Sequence, residues 1–111
     1  MSFTANIRTT SHIKHHHDNF FNYDWDAIGY LLNSKCEESY LSDDAGLMYK
    51  WEISVKDLNQ VIKYLETRNP EDIIGSITVS SIIETFKSWL KIQEENKANL
   101  DNPDYIIIDW Y

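Results

Sequence analysis

Leu47-Met48-Tyr49-Lys50-Trp51-Glu52-Ile53-Ser54-Val55-Lys56-Asp57 changes its period halfway along. In an extended chain Leu47, Tyr49, Trp51 and Ile53 fall on one side and Met48, Lys50 and Glu52 on the other, so 47–53 reads as a strand with one buried face. Ser54-Val55-Lys56-Asp57 then matches the S-x-x-[DE] capping box, with aspartate in place of the longer glutamate. Val55, Leu58, Val61, Ile62 and Leu65 follow as a helical stripe that ends before Asn69-Pro70.

Toward the N-terminus, Glu38-Ser39-Tyr40-Leu41 reads as the partner strand. The polar connection Ser42-Asp43-Asp44-Ala45-Gly46 has the length and the glycine of a hairpin loop. Trp25, Ile28, Leu31 and Leu32 recur at helical spacing behind Asn22 or Asp24 as cap, which predicts a helix near 24–34 with Gly29 inside it. Phe3, Ala5 and Ile7 alternate with Thr4, Asn6 and Arg8 as a first strand extending toward Ile13. The stretch from His12 to Asn19 is polar and reads as a loop.

Toward the C-terminus, Asn69-Pro70-Glu71-Asp72 resembles a second cap with proline at the first helical position, kept short by Gly75. Val79, Ile82, Ile83, Phe86, Trp89, Leu90 and Gln93 predict the longest helix, from about Thr78 to about Ala98. Asp101-Asn102-Pro103 is a turn, and Tyr105 to Tyr111 an aromatic and β-branched strand inside the sheet. The order is β-α-β-β-α-α-β. That implies an α+β fold, a mainly antiparallel sheet with helices packed on one face, in a single domain spanning 1–111.

The 111 residues are 42% apolar and 14% aromatic, enough to build a core, which excludes a wholly disordered chain. No apolar run approaches the roughly 20 residues of a membrane-spanning helix. The segment Met1 to Asn6 lacks the charged and apolar regions of a secretion signal. The single Cys36 cannot form an internal disulfide, which suits a reducing compartment, and the cytoplasm is the expected location.

The net charge of −8 is unevenly spread. Residues 1–17 carry +2, 18–46 carry −6, 47–93 balance, and 94–111 carry −4. A balanced middle with acidic flanks suits a scaffold presenting a negative face, and the alternative is a solubilising coat.

Few residues carry chemistry. His12, His15, His16 and His17 precede Asp18. In a helix His12, His15 and His16 would share a face able to hold zinc, nickel or copper, and in a strand His15 and His17 would share a side. The same cluster could supply acid/base groups near neutral pH. Three adjacent histidines point their rings in different directions, and a polar connecting loop is the default reading. Cys36 lies between Lys35 and Glu37-Glu38, whose effects on a thiol oppose each other, so no activated nucleophile is indicated. No serine sits in G-x-S-x-G and no glycine-rich phosphate loop is present. Glu37-Glu38, Asp43-Asp44, Glu71-Asp72 and Glu94-Glu95 are adjacent pairs, the pattern of solvated surface and not of opposed acid/base groups. The sequence therefore predicts no enzyme and no cofactor. Its scattered bases and negative charge argue against direct nucleic-acid binding.

An interaction surface remains. Acids interleave with large aromatics, and the expected partner-binding residues are Tyr23, Asp24, Asp26, Glu37, Glu38, Tyr40, Asp43, Asp44, Asp101, Asp104 and Tyr111. Tyrosine buries much area for few rotatable bonds, and acidic rims steer a basic partner. Trp25, Trp51 and Trp89 are expected in the core instead.

In size, acidity and its stretches Asp24-Trp25-Asp26, Glu37 to Asp44 and Asp101 to Tyr111, the chain resembles small acidic bacterial immunity proteins and antitoxins, including the cytoplasmic partners of contact-dependent growth inhibition toxins. The resemblance is of kind and carries no diagnostic motif. It implies a stoichiometric inhibitor that covers the active site of a basic partner, such as a nuclease toxin. Phage-type nucleic-acid mimics share these traits. Two other readings stand beside it: metal binding or histidine chemistry at His12–His17, and a structural subunit of a larger assembly.

Overall fold

A computed structural model describes residues 4–8, 15–41 and 49–110, with the backbone alone at some strand and helix positions among them. Along the described chain run β1 (Thr4–Arg8), β2 (His15–Phe21), α1 (Asn22–Lys35), β3 (Tyr40–Leu41), β4 (Tyr49–Ser54), α2 (Val55–Glu66), β5 (Ile73–Ile74), β6 (Ile77–Thr78), α3 (Val79–Asn96), a 3₁₀ turn (Lys97–Asn99) and β7 (Tyr105–Trp110). Five strands form one sheet in the order β2-β1-β7-β4-β3, each antiparallel to its neighbours. The fold is α+β, and the C-terminal strand lies at the sheet's centre, as its aromatic and β-branched composition predicts.

Register explains which side chains reach the core. Ile7 lies opposite Ile108, Ile108 opposite Trp51, and Ile53 opposite Ile106. All five are buried, while Lys50, Glu52 and Ile107 between them are only half-buried. One sheet face thus carries the core and the other stays open, the alternation that period-2 strands produce. Ile28, Leu31 and Leu32 of α1, Leu58, Val61, Ile62 and Leu65 of α2, and Val79, Ile82, Phe86 and Trp89 of α3 complete that core. Each such side chain contributes about 1.5–3 kcal/mol by leaving water. Gly29 serves this packing: a Cβ there would sit 3.3 Å from Cζ2 of the buried Trp51.

The caps follow the sequence. Ser54 Oγ accepts the Asp57 N–H at the start of α2, and Thr78 Oγ1 accepts the Ser81 N–H at the start of α3. The buried Gln93 side chain donates from Nε2 to the Pro103 and Tyr105 carbonyls, at 2.8 and 2.9 Å. That clamp fixes where β7 begins.

Two expectations are corrected. The polar stretch after His12 is not all loop: His15–Phe21 form β2, with His15, His16 and His17 opposite Arg8, Ile7 and Asn6. Ladder bonds need only backbone groups, and β7 satisfies β1 on one side only, so a polar segment can pair on the other. The ladder slips between His17 and Phe21, which erases the alternation a sequence reading looks for. Asn69-Pro70-Glu71-Asp72 opens no helix either. Asn69 Oδ1 accepts the Glu71 N–H and the Asn69 carbonyl accepts the Asp72 N–H, closing a turn. Gly75, at φ 67°, then sits first in the two-residue connection of a β5–β6 hairpin, where a left-handed residue is required.

Among the described residues no helix is long and apolar enough to cross a membrane. Deleting residues 105–111 removes the central strand together with Ile106 and Ile108, and the expected product is insoluble. A soluble truncated protein with a cooperative thermal transition overturns that placement. Gly29→Ala gains about 0.5–1 kcal/mol of helix propensity, yet the crowded Trp51 edge outweighs it. The expected result is a lower Tm by calorimetry, and a raised Tm contradicts it.

Candidate functional site

After Lys35 the chain must turn from α1 into β3. The Cys36 N–H still donates to the Leu32 carbonyl, at 2.7 Å, but the next amides have left the helix before any ladder begins. Asp57 receives them. Its Oδ1 accepts the Glu37 N–H at 3.1 Å, and its Oδ2 accepts the Glu38 N–H at 2.9 Å and the Ser39 hydroxyl at 2.6 Å. Ser39 Oγ in turn accepts the Ser54 N–H, at 2.9 Å. In an ordinary capping box the third-position glutamate reaches back to the cap residue's own N–H. Aspartate is one methylene short, and the Ser39 hydroxyl fills that gap, leaving the carboxylate to hold the loop.

Asp57 is buried. Burial alone raises its pKa, but the hydrogen bonds from the Ser39 hydroxyl, the Glu38 and Glu37 amides and Ser54 together outweigh it and hold the carboxyl below the usual carboxylate range. Its place in the first turn of α2 adds the favourable end of the helix dipole. Cys36 goes the other way. Burial pushes its thiol up to about 11, and the Asp57 charge adds to the rise against a lowering hydrogen bond from Ser39. At neutral pH it is a protonated thiol packed against the core, not a nucleophile.

With the loop amides turned inward, the side chains of Glu37, Glu38 and Tyr40 are exposed, Tyr40 at 66%. The Tyr105 hydroxyl donates to the Glu38 carbonyl at 3.3 Å and so brings the start of β7 to the loop. Asp104, exposed, precedes Tyr105, and its carbonyl accepts the Val55 N–H at 2.9 Å. Glu52 lies opposite Tyr40 in register, and Asp101 is exposed in the turn before Asp104. The Glu37–Glu38 loop and exposed Tyr40 thus lie beside Glu52 and Tyr105, and exposed Asp104 adjoins Tyr105 in sequence.

The nearby cations are partly engaged. Lys50 Nζ pairs with Glu52 at 3.4 Å, and Lys35 Nζ sits 4.0 Å above the Tyr64 ring, while Lys56 is exposed on the first turn of α2. No ion pair among the described residues engages Glu37, Glu38, Asp101 or Asp104.

Other expected partner-binding residues do not join this group. Tyr23, Asp24 and Asp26 lie in the first turns of α1, and the helical rise sets Asp26 roughly 13 Å along the axis from Lys35. Asp43, Asp44 and Tyr111 lie outside the described residues, as does His12. His15, His16 and His17 are in a strand, so the helical three-histidine arrangement does not form there. Among the described residues no group of three histidine, cysteine, aspartate or glutamate side chains is placed to hold a metal ion.

Sequence reasoning missed Asp57 as the loop's anchor, Ser39 as its relay, and Tyr105 as the link to β7. The available signal was the aspartate itself: a capping box too short to close has a carboxylate free for another task.

Asp57→Asn keeps the shape but removes the charge and turns one acceptor into a donor facing donors. At neutral pH the expected cost is about 3 kcal/mol by urea unfolding, since hydrogen bonds to a charged group contribute about 1.5–3 kcal/mol each. The folded-state pKa is depressed, so this stabilisation is complete above the unfolded carboxyl pKa of roughly 4 and is lost as pH falls through the lower folded value. The gap between wild type and variant should therefore narrow below about pH 4, and a gap independent of pH down to 2 contradicts the assignment.

No family model, curated protein or solved structure matches this chain.

Proposed function

We propose that the protein is a stoichiometric inhibitor of the immunity or antitoxin type, which binds a basic protein partner through the acidic, aromatic end built by Glu37, Glu38, Tyr40 and Asp104. The partner this chemistry suits is a nuclease toxin domain, whose substrate-binding surface must be cationic. The observation that carries the reading is the bond from the Tyr105 hydroxyl to the Glu38 carbonyl. It ties the Glu37–Glu38 loop to the start of β7, next to Asp104 in sequence, with exposed Tyr40 beside it as an anchor of large area and few rotatable bonds. The inhibitor works by occupancy: carboxylates compete for the lysine and arginine residues that would otherwise hold phosphate, and the docked mass excludes substrate. It requires no catalytic group of its own. In this reading it acts in the cytoplasm, where a single cysteine persists as a thiol.

The loop's construction favours such use. Asp57 holds backbone amides, not side chains, so Glu37 and Glu38 are presented on a fixed main chain with both carboxylates turned outward. A pre-ordered loop loses less entropy on binding.

Association kinetics with the product of the adjacent gene, expected to be a basic toxin domain, test the proposal. Wild type should inhibit at one to one, and raising salt should slow association more than it speeds dissociation. Glu37→Lys with Glu38→Lys should slow association at least tenfold while shifting stability by no more than about 0.5 kcal/mol, because both side chains are exposed and the anchored amides are unchanged. An unaltered affinity, or a neighbour that is neither basic nor bound, removes this face from consideration.

A further inference from the structure

We propose that residues 36–39 form a latch that opens locally, without unfolding of the domain, and that the Asp57 side chain is what keeps it shut. The inward bonds of this segment converge on one residue: the amides of Glu37 and Glu38 and the hydroxyl of Ser39 all donate to Asp57, and the Ser54 N–H reaches the cluster through Ser39. What would remain without Asp57 is the 2.9 Å bond from the Ser54 N–H to Ser39 Oγ, a 3.3 Å bond from the Tyr105 hydroxyl to the Glu38 carbonyl, and the Cys36 N–H at the end of α1. Glu37 and Glu38 are exposed, so among the described residues the apolar hold on the segment comes from Cys36 and Leu41, with the short β3–β4 ladder beside it. The structure beneath has independent support. Leu58, Val61, Ile62 and Leu65 hold α2 in the core, and the Ser54 hydroxyl still caps its start. Few buried contacts on one side and a full core on the other is the condition for sub-global opening.

This inference goes beyond docking: it concerns what keeps the loop in place, and it bears on the proposed interface only through the two glutamates. Its test uses no partner, so either idea can fail alone.

Cys36 reports the opening. In the closed state its thiol stands near 11, and release from burial returns it toward the ordinary value of 9.0, raising the thiolate fraction at pH 8 by roughly a hundredfold. The probe is 5,5′-dithiobis(2-nitrobenzoate) with the full chain, and tryptophan fluorescence in urea gives global stability in parallel. In Asp57→Asn labelling should accelerate tenfold to a hundredfold and stay flat in urea until the global transition. Removing the Asp57 charge also lowers the thiol pKa directly, so Ser39→Ala is the decisive control. Losing the Ser39 hydrogen bond raises the thiol pKa and by itself slows labelling. Labelling at least threefold faster in folded Ser39→Ala therefore supports opening. Unchanged or slower labelling in that variant overturns the latch, as does a labelling rate in either variant that climbs with urea in step with global unfolding.

Discussion

One buried negative charge organises this end of the protein. The Asp57 carboxylate, in the first turn of α2, meets the exit of α1 and the entry to β3. A charge taken out of water is tolerated only when its acceptor capacity is filled. Here the donors are two backbone amides and a hydroxyl, so the arrangement depends on the chain's path and not on the identity of the loop side chains. That division lets Glu37 and Glu38 be acidic directly above another acid. Their carboxylates stand in solvent, while their amides, the positive ends of their peptide dipoles, face Asp57.

The rest of the fold supplies the fixed points that the loop needs. β7 is paired on both sides, and its start is held by Gln93 from α3 and by the Asp104 carbonyl from α2's first amide. Tyr105 therefore stands on the central strand of the sheet, and its hydroxyl meets the Glu38 carbonyl from there. On the opposite face of the same sheet, Trp51 fills the space that Gly29 leaves in α1. Helix α1 is thus seated before it delivers Cys36 and the loop.

How much of this was legible depended on whether the signal was local. Ser54 and Asp57 announced the start of α2, and the apolar stripes of α2 and α3 named their buried residues, because capping and periodicity act within a few positions. Tyr105–Trp110 announced a central strand by composition alone. β2 was not legible: His15, His16 and His17 pair through backbone, and the slipped register hides any alternation. The β5–β6 hairpin was misread because proline suits both a turn and a first helical residue, and the arbiter was Gly75 five positions on. The site was least legible of all. Glu37, Glu38 and Tyr40 stood out as exposed candidates, but their link to β7 is a contact between residues 38 and 105, and no local pattern encodes it.

Counting charge along the chain misjudges the field for the same reason. Residues 18–46 sum to −6, which suggests one strongly negative surface. Helix α1 spans the middle of that segment, and its rise separates Asp24 and Asp26 from Glu37 and Glu38 by more than the roughly 8–10 Å over which salt lets exposed charges act together. Asp24 and Asp26 therefore belong to a different field from Glu37 and Glu38, while Asp43 and Asp44 lie outside the described residues. The proposed basic partner would meet Glu37 and Glu38 at the loop, with Glu52 already shared with Lys50 and with Lys56 exposed on the first turn of α2. On that proposal steering rests on carboxylates carried by an anchored main chain, which makes the geometry of the 36–39 loop, more than the net charge of the molecule, the quantity that would set the encounter.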